Sequence, residues 1–142
     1  MLSQKAKYAL QALAHLAAHY KQEAPVLIGT IASERKIPIK FLEAILCQLR
    51  NEHILISVRG RGGGYRLAEH PKKISLARVI RAVDGPIALL SCVSLNFYQR
   101  CDNCDEKTCS INPVMAEARD AILKVLEKRT LNDIKDVQVH LT

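Results

Sequence analysis

The chain has 142 residues, a formal net charge of +7, 49% apolar residues and no tryptophan. That length fits one domain, or one domain with an appendage, and with aromatics at only 4% its core must be aliphatic. No apolar run reaches the roughly eighteen residues of a membrane span, and the polar start Met-Leu-Ser-Gln-Lys does not read as a secretory signal. The expectation is a cytoplasmic protein with a polyanionic partner, in a compartment where clustered cysteines favour metal or redox chemistry over structural disulfides.

Residues 3–20 read as a helix capped by Ser3, with Leu10, Leu13, Ala14, Ala17 and Tyr20 at helical spacing. His15 and His19 stand four apart on it; with no third ligand near, they read as surface or half-buried positions rather than a metal site. A polar loop ends at Pro25, a short helix covers Ile28–Arg35 with Ile31 and Ala32 inward, and Lys36-Ile37-Pro38 interrupts. Pro38 suits the first turn of a helix over about 39–51, whose buried stripe is Leu42, Ile45, Leu46 and Leu49. Two short helices across a tight turn, behind a longer one, are helix-turn-helix arithmetic. Ile54–Val58 alternates as a strand, Arg59-Gly60-Arg61-Gly62-Gly63-Gly64 turns, and Tyr65-Arg66-Leu67 resumes extended structure. A basic hairpin directly after a recognition helix has the form of a wing. The glycine run is not a phosphate loop, since no Lys-Ser/Thr follows it and it opens no helix.

Residues 75–83 predict a helix capped by Ser75 and stopped at Asp84-Gly85-Pro86. Residues 86–91 form a short apolar segment expected to be helical, and a cysteine loop occupies 92–111. Asn112 as N-cap and Pro113 as first residue open a helix over 113–128. Its apolar face is Val114, Met115, Ala118, Ala121, Ile122, Val125 and Leu126, which needs a cover, most economically a symmetry mate. Thr130–Lys135 begins a last helical turn, and 137–142 reads as a strand or a frayed end. The fold expected is mainly α with a small β-hairpin. Residues 1–85 form a winged helix-turn-helix DNA-binding domain, 86–111 a cysteine-rich sensor loop, and 112–142 a dimerisation helix and tail.

Base edges are reached from the exposed positions of a recognition helix, chiefly early ones, with Ile39, Lys40, Glu43, Ala44 and Gln48 the candidates here. Lys40 can meet phosphate or guanine; Glu43 can accept from cytosine N4 while repelling phosphates, so it selects sequence rather than adding affinity. Gln48 and Arg50 lie further along, towards the DNA backbone. Arg59 and Arg61 at the wing tip suit a narrow minor groove, and Lys5 and Lys7 can clamp phosphates. The plain alternative for each is a solvated surface charge. Cys47, on the recognition helix, reads as a small buried apolar residue.

Cys92, Cys101, Cys104 and Cys109 fall within eighteen residues. The close trio can wrap a metal without strain, and Cys92 can complete four-coordination from the other end of the loop. Spacing alone does not choose between a four-cysteine zinc site, an iron–sulfur cluster and a thiol–disulfide pair. Asp102, Asp105 and Glu106 add negative charge there.

Over nearly its whole length the chain resembles the Rrf family of bacterial transcriptional regulators, the group containing IscR, NsrR and CymR. The likeness runs through Ser3–Lys7-Tyr8-Ala9, Ile31-Ala32, Phe41-Leu42-Glu43 and Leu49-Arg50, and is most specific in Ser57-Val-Arg-Gly-Arg-Gly-Gly-Gly-Tyr-Arg-Leu. Ile80-Arg-Ala-Val-Asp-Gly and Thr130-Leu-Asn-Asp-Ile also fit. The resemblance implies a winged-helix homodimer on a palindromic operator in double-stranded DNA, with helix 113–128 crossing its partner. It implies that Lys40, Phe41 and Glu43 read or adjoin the bases and that Arg59 enters the minor groove. It implies an iron–sulfur cluster on Cys109, Cys104 and Cys101, 2Fe–2S in preference to 4Fe–4S, with zinc as the alternative. The expected function is a regulator sensing iron–sulfur, redox or nitric oxide status, and not an enzyme. A regulator with a structural zinc or a thiol/disulfide switch, and an adaptor that binds no DNA, are the competing readings. Three departures stand out: the evenly spaced cysteine pattern of IscR is not reproduced, the loop here being longer and carrying an extra cysteine; Asn112 stands where IscR has a histidine ligand; and Lys36 occupies a turn position where relatives often have glycine.

Overall fold

The computed structural model describes residues 2–102 and 104–135; the expectation for 137–142 lies outside them. The Ser3 hydroxyl accepts the Ala6 N–H at 3.0 Å and so caps α1, Gln4–Ala18. The helix stops short of the expected residue 20, because Tyr20–Gln22 tightens into a 3₁₀ turn that ends on left-handed Glu23. The inner face of α1 carries Ala6, Ala9 and Ala12 at zero exposure beside Leu13. Side chains this small let neighbouring elements approach closely. His15 is a correction: it is buried, its ring 4.4 Å from that of His19, whose Nδ1 lies 2.8 Å from the His15 carbonyl oxygen.

The two short helices are α2, Ile28–Arg35, and α3, Ile39–Asn51. Between them Lys36 takes φ 54° and ψ 46°, the left-handed region that costs an L side chain about 1–2 kcal/mol. Pro38 stands one residue earlier than expected, at the N-cap of α3 rather than in its first turn. Its fixed φ and extended ψ turn the chain into the helix from outside. Leu42, Ile45, Leu46 and Leu49 are all fully buried, as the spacing predicts, and each contributes about 1.5–3 kcal/mol by leaving water.

Strands β1, Leu55–Val58, and β2, Gly64–Leu67, pair antiparallel with Leu55 opposite Leu67 and Val58 opposite Gly64. Gly60 and Gly62 take positive φ in the tip. Gly64 has a different task. Val26 and Tyr65 exchange two backbone hydrogen bonds at 2.8 and 2.9 Å, and a Cβ on Gly64 would meet the Val26 carbonyl oxygen at 2.2 Å. The hairpin is thus moored to the segment before α2, a link the strand pattern did not suggest.

Ser75 caps α4, Leu76–Asp84, by accepting the Arg78 N–H at 3.1 Å. Residues 86–87 are irregular and 88–90 are bends, not the expected helix, and a 3₁₀ turn follows at Ser91–Val93. The long helix is α5, Asn112–Lys128. Asn112 is its first residue rather than its cap, and its side chain is engaged elsewhere. The face of α5 against its own chain holds Leu123, which is buried and was not on the expected stripe. The short helix α6, Leu131–Ile134, carries a Thr130–Asp133 capping box. Leu76 and Leu131 exchange backbone bonds with Arg129 and Ile74, which carries Leu131 into the main core at zero exposure. Helix α1 packs on α2, α3, α4, α6 and β2, so it is the central post of the fold. No helix among the described residues is long and apolar enough to cross a membrane.

Candidate nucleic-acid interface and thiol loop

Burying one face of α3 fixes what the other face shows. Ile39 and Phe41 are 46% and 41% exposed, and Lys40, Glu43 and Ala44 are exposed beside them. The Phe41 ring is steadied by Tyr8 of α1, edge-to-face at 5.6 Å, which ties the start of α3 to α1. On α1 itself Lys7 is exposed and Lys5 half-buried. Arg59 and Arg61 are exposed at the hairpin tip, and neither forms an ion pair among the described residues. The structure therefore presents Ile39, Lys40, Phe41, Glu43, Arg59 and Arg61 outward on two basic elements. Gln48 is different. It is half-buried and its amide donates to the Ala82 carbonyl of α4 at 2.8 Å, so one of its two N–H groups is used inside the fold. Arg50 is exposed and donates to the Cys47 sulfur at 3.5 Å.

The thiol loop begins and ends on α5. At its start, the Asn112 amide lies 3.7 Å from the Cys92 sulfur, and Arg119 donates to the Val93 carbonyl at 2.7 Å. At its end, the Cys109 sulfur takes the backbone N–H groups of Asn112 and Ile111, which holds its pKa below the usual thiol value. That is the chemistry of a thiol at a helix N-terminus, where unpaired N–H groups favour the anion. Cys104 sits against both Cys101 and Cys109. Desolvation, together with hydrogen bonds to these two sulfurs, pushes its thiol up to about 11. The side chains of Tyr98 and Glu106 bond across the loop, and this contact raises the tyrosine pKa.

Cys104 thus touches both Cys101 and Cys109, Cys109 lies at the head of α5, and Cys92 contacts the Asn112 side chain. The sulfurs are linked through Cys104 rather than converged on one point. Among the described residues no group of three metal-ligating side chains is gathered to hold an ion. The donor set nonetheless suits an iron–sulfur group: cluster ligands are thiolates, tuned by hydrogen bonds to sulfur. Cys109 already has such bonds, and all five cysteines are free of disulfides. Sequence reasoning saw Asn112 as a cap and as the residue standing where IscR has a histidine ligand, but not as a partner of the sulfurs. Its contacts with two sulfurs, and the reach of Arg119 to the loop, have no signature in spacing.

A helix-turn-helix with a moored hairpin wing, followed by a long C-terminal helix, defines a winged-helix regulator of transcription. Residues 2–136 match the Rrf2 family, described as iron-dependent transcriptional regulators, and the chain belongs to that family. It is 42% identical over 137 residues to an rrf2-like HTH-type transcriptional regulator of Rhodobacter capsulatus, covering 94% of this chain and 91% of that one. It is 32% identical over 133 residues to the HTH-type regulator IscR of Pectobacterium atrosepticum, covering 94% and 77%. Among solved structures it is similar to CymR, the global cysteine regulator of B. subtilis, with a TM-score of 0.78, 27% identity and 95% of each chain covered. It is also similar to T. potens IscR, with a TM-score of 0.75, 28% identity and 100% and 92% covered. These relatives are transcriptional regulators, not enzymes, and regulators of this family bind DNA.

Proposed function

We propose that the chain is a homodimeric transcriptional regulator. It would grip duplex DNA through α3 and the wing and sense iron–sulfur or redox status through the thiol loop. The observation that supports the sensor reading is the contact of Cys104 with both Cys101 and Cys109, the Cys109 sulfur already held by two backbone N–H groups at the N-terminus of α5. These three residues would hold the cluster, with Cys92 as the fourth sulfur. When bound, the cluster supplies a redox-active inorganic centre. Asn112 positions sulfurs at both ends of the loop, and Arg119 anchors the segment beside Cys92.

Lys40 and Glu43 would face base edges, with Ile39 and Phe41 against the groove wall and Arg59 and Arg61 in the minor groove. Lys5, Lys7 and Arg50 would meet phosphates, while Gln48, one of whose amide N–H groups is held by the Ala82 carbonyl, is the weakest member of the set. Homodimerisation is supported by Ile111, Val114, Ala118, Ala121 and Val125, spaced three and four residues apart along and just before α5. That is the seam of paired helices, and Ile111, Val114 and Val125 are more than half exposed in the single chain. A twofold pair then meets a palindromic site with one recognition helix per half.

The test is isolation without oxygen, followed by iron, sulfide and zinc analysis and visible absorption. Iron with labile sulfide, lost in Cys104→Ala and Cys109→Ala, is expected. A colourless protein with stoichiometric zinc contradicts the cluster. Glu43→Ala should relax sequence choice and leave non-specific binding intact or stronger; equal weakening at all sites contradicts its role.

A further inference from the structure

Helix α3 and the thiol loop are joined through two other elements. The loop residues Asn96 and Phe97 face α3 and α4 across an open groove of about 630 Å³, lined also by Gln48, Glu52 and Arg81. Packing instead runs from the Ser91–Val93 turn to α5, from α5 to α4, and from α4 to α3. At each step one long polar side chain makes the connection. Arg119 of α5 donates to the Val93 carbonyl at 2.7 Å, Arg81 of α4 pairs with Glu127 of α5 at 3.1 Å, and Gln48 of α3 donates to the Ala82 carbonyl at 2.8 Å. Ala82 lies in the last turn of α4, where carbonyls have no partner within the helix, so the Gln48 amide fills an open position. Arg81 and Ala82 are adjacent, so the second and third links share one helical turn. Val93 immediately follows Cys92, so the first link begins one residue from a sulfur.

We propose that Arg119, Arg81 and Gln48 are positioning residues of one strap, through which the placement of the thiol loop sets the lie of the recognition helix. The proposal rests on the reading of the loop as a sensor, and it assigns the route by which that sensor reaches DNA. Gln48 acts through α4 and not on the duplex. Packing with discrete polar links of this kind passes a displacement from element to element, because close-packed helices shift as units.

The test is a double-variant cycle on the full chain without iron or DNA, read as amide hydrogen exchange over the last two turns of α3. Arg119→Met, which touches no residue of α3, should speed exchange there by about fivefold, the low end of ordinary coupling. Gln48→Leu should do the same, and the double variant should exchange no faster than Gln48→Leu alone. Distant, unconnected sites instead act independently, so effects that multiply would overturn the strap. So would wild-type exchange in Arg119→Met. The middle link is tested by charge reversal: Arg81→Glu should loosen α3, and adding Glu127→Arg should restore it; no restoration overturns the assignment of that pair. Finally, the ratio of operator affinity between iron-loaded and stripped protein should fall towards one in Gln48→Leu at unchanged iron content. A wild-type ratio of one would end the sensor reading and leave the exchange result standing, so the two failures are distinguishable.

Discussion

In α3 four side chains are fully buried at helical spacing, whereas from Leu95 to Cys109 no described side chain is buried. The first region is held by aliphatic burial, which is non-directional and collectively large. The second is held by individual polar contacts: Phe97 N–H to the Ser94 hydroxyl at 3.0 Å, Tyr98 to Glu106, and Asn112 and Arg119 reaching in from α5. Each such bond contributes about 0.5–1.5 kcal/mol net, against several for one leucine of α3. A reading surface has to keep its shape whatever the cell's iron status. A sensor has to rearrange for a few kcal/mol. On the proposed function, the construction of the two regions suits those demands.

The largest effect that separates them is core truncation. Leu46→Ala should cost about 2–5 kcal/mol of unfolding free energy, while Leu95→Ala, at 61% exposure, should stay within about 0.5 kcal/mol. Chemical denaturation of both variants checks this, and equal costs would erase the distinction. Next comes thiol reactivity in cluster-free protein near pH 8. Cys109 is held down by N–H donors and Cys104 is pushed up to about 11, so Cys109 carries far more thiolate. Its alkylation, followed by peptide mass analysis, should be more than about tenfold faster even after its lower intrinsic nucleophilicity is counted. Equal rates would mean that the loop lacks the described order.

Gly64→Ala tests the mooring of the wing. The added Cβ strikes backbone of Val26, at a φ of 145°, so stability should fall by about 1–3 kcal/mol and operator affinity with it. Smallest is Lys36→Gly. It relieves a left-handed lysine but adds freedom to the unfolded chain, for a net gain of about 0.5–1 kcal/mol in thermal or chemical unfolding. A loss of stability would show that the lysine side chain holds the turn.

Much of the winged half was legible because burial and turn chemistry write themselves into spacing. The α3 stripe, both serine caps and the bounds of α2 and α3 follow from the residues alone. What was not legible depends on partners distant in sequence. The mooring of Tyr65 on Val26, the burial of Leu131 and the rotation of α5 onto Leu123 are set by packing between elements. Helix α5 misled because it carries two apolar stripes, one against its own chain and one facing out. The link from Gln48 to α4 was not legible either, because an amide on a recognition helix can serve DNA or a neighbouring carbonyl, and the position of Ala82 shows only in the fold. In the loop, cysteine spacing gave the ligand candidates, but not that Asn112 contacts both the Cys92 and the Cys109 sulfur.

The most direct measurement is operator affinity on one anaerobic preparation, by fluorescence anisotropy, before and after its iron is stripped, with a Cys101→Ala/Cys104→Ala/Cys109→Ala chain alongside. The account predicts that stripping shifts the affinity or the choice of site, and that the triple variant matches the stripped form whether or not iron is supplied. Identical binding by all three samples would contradict it.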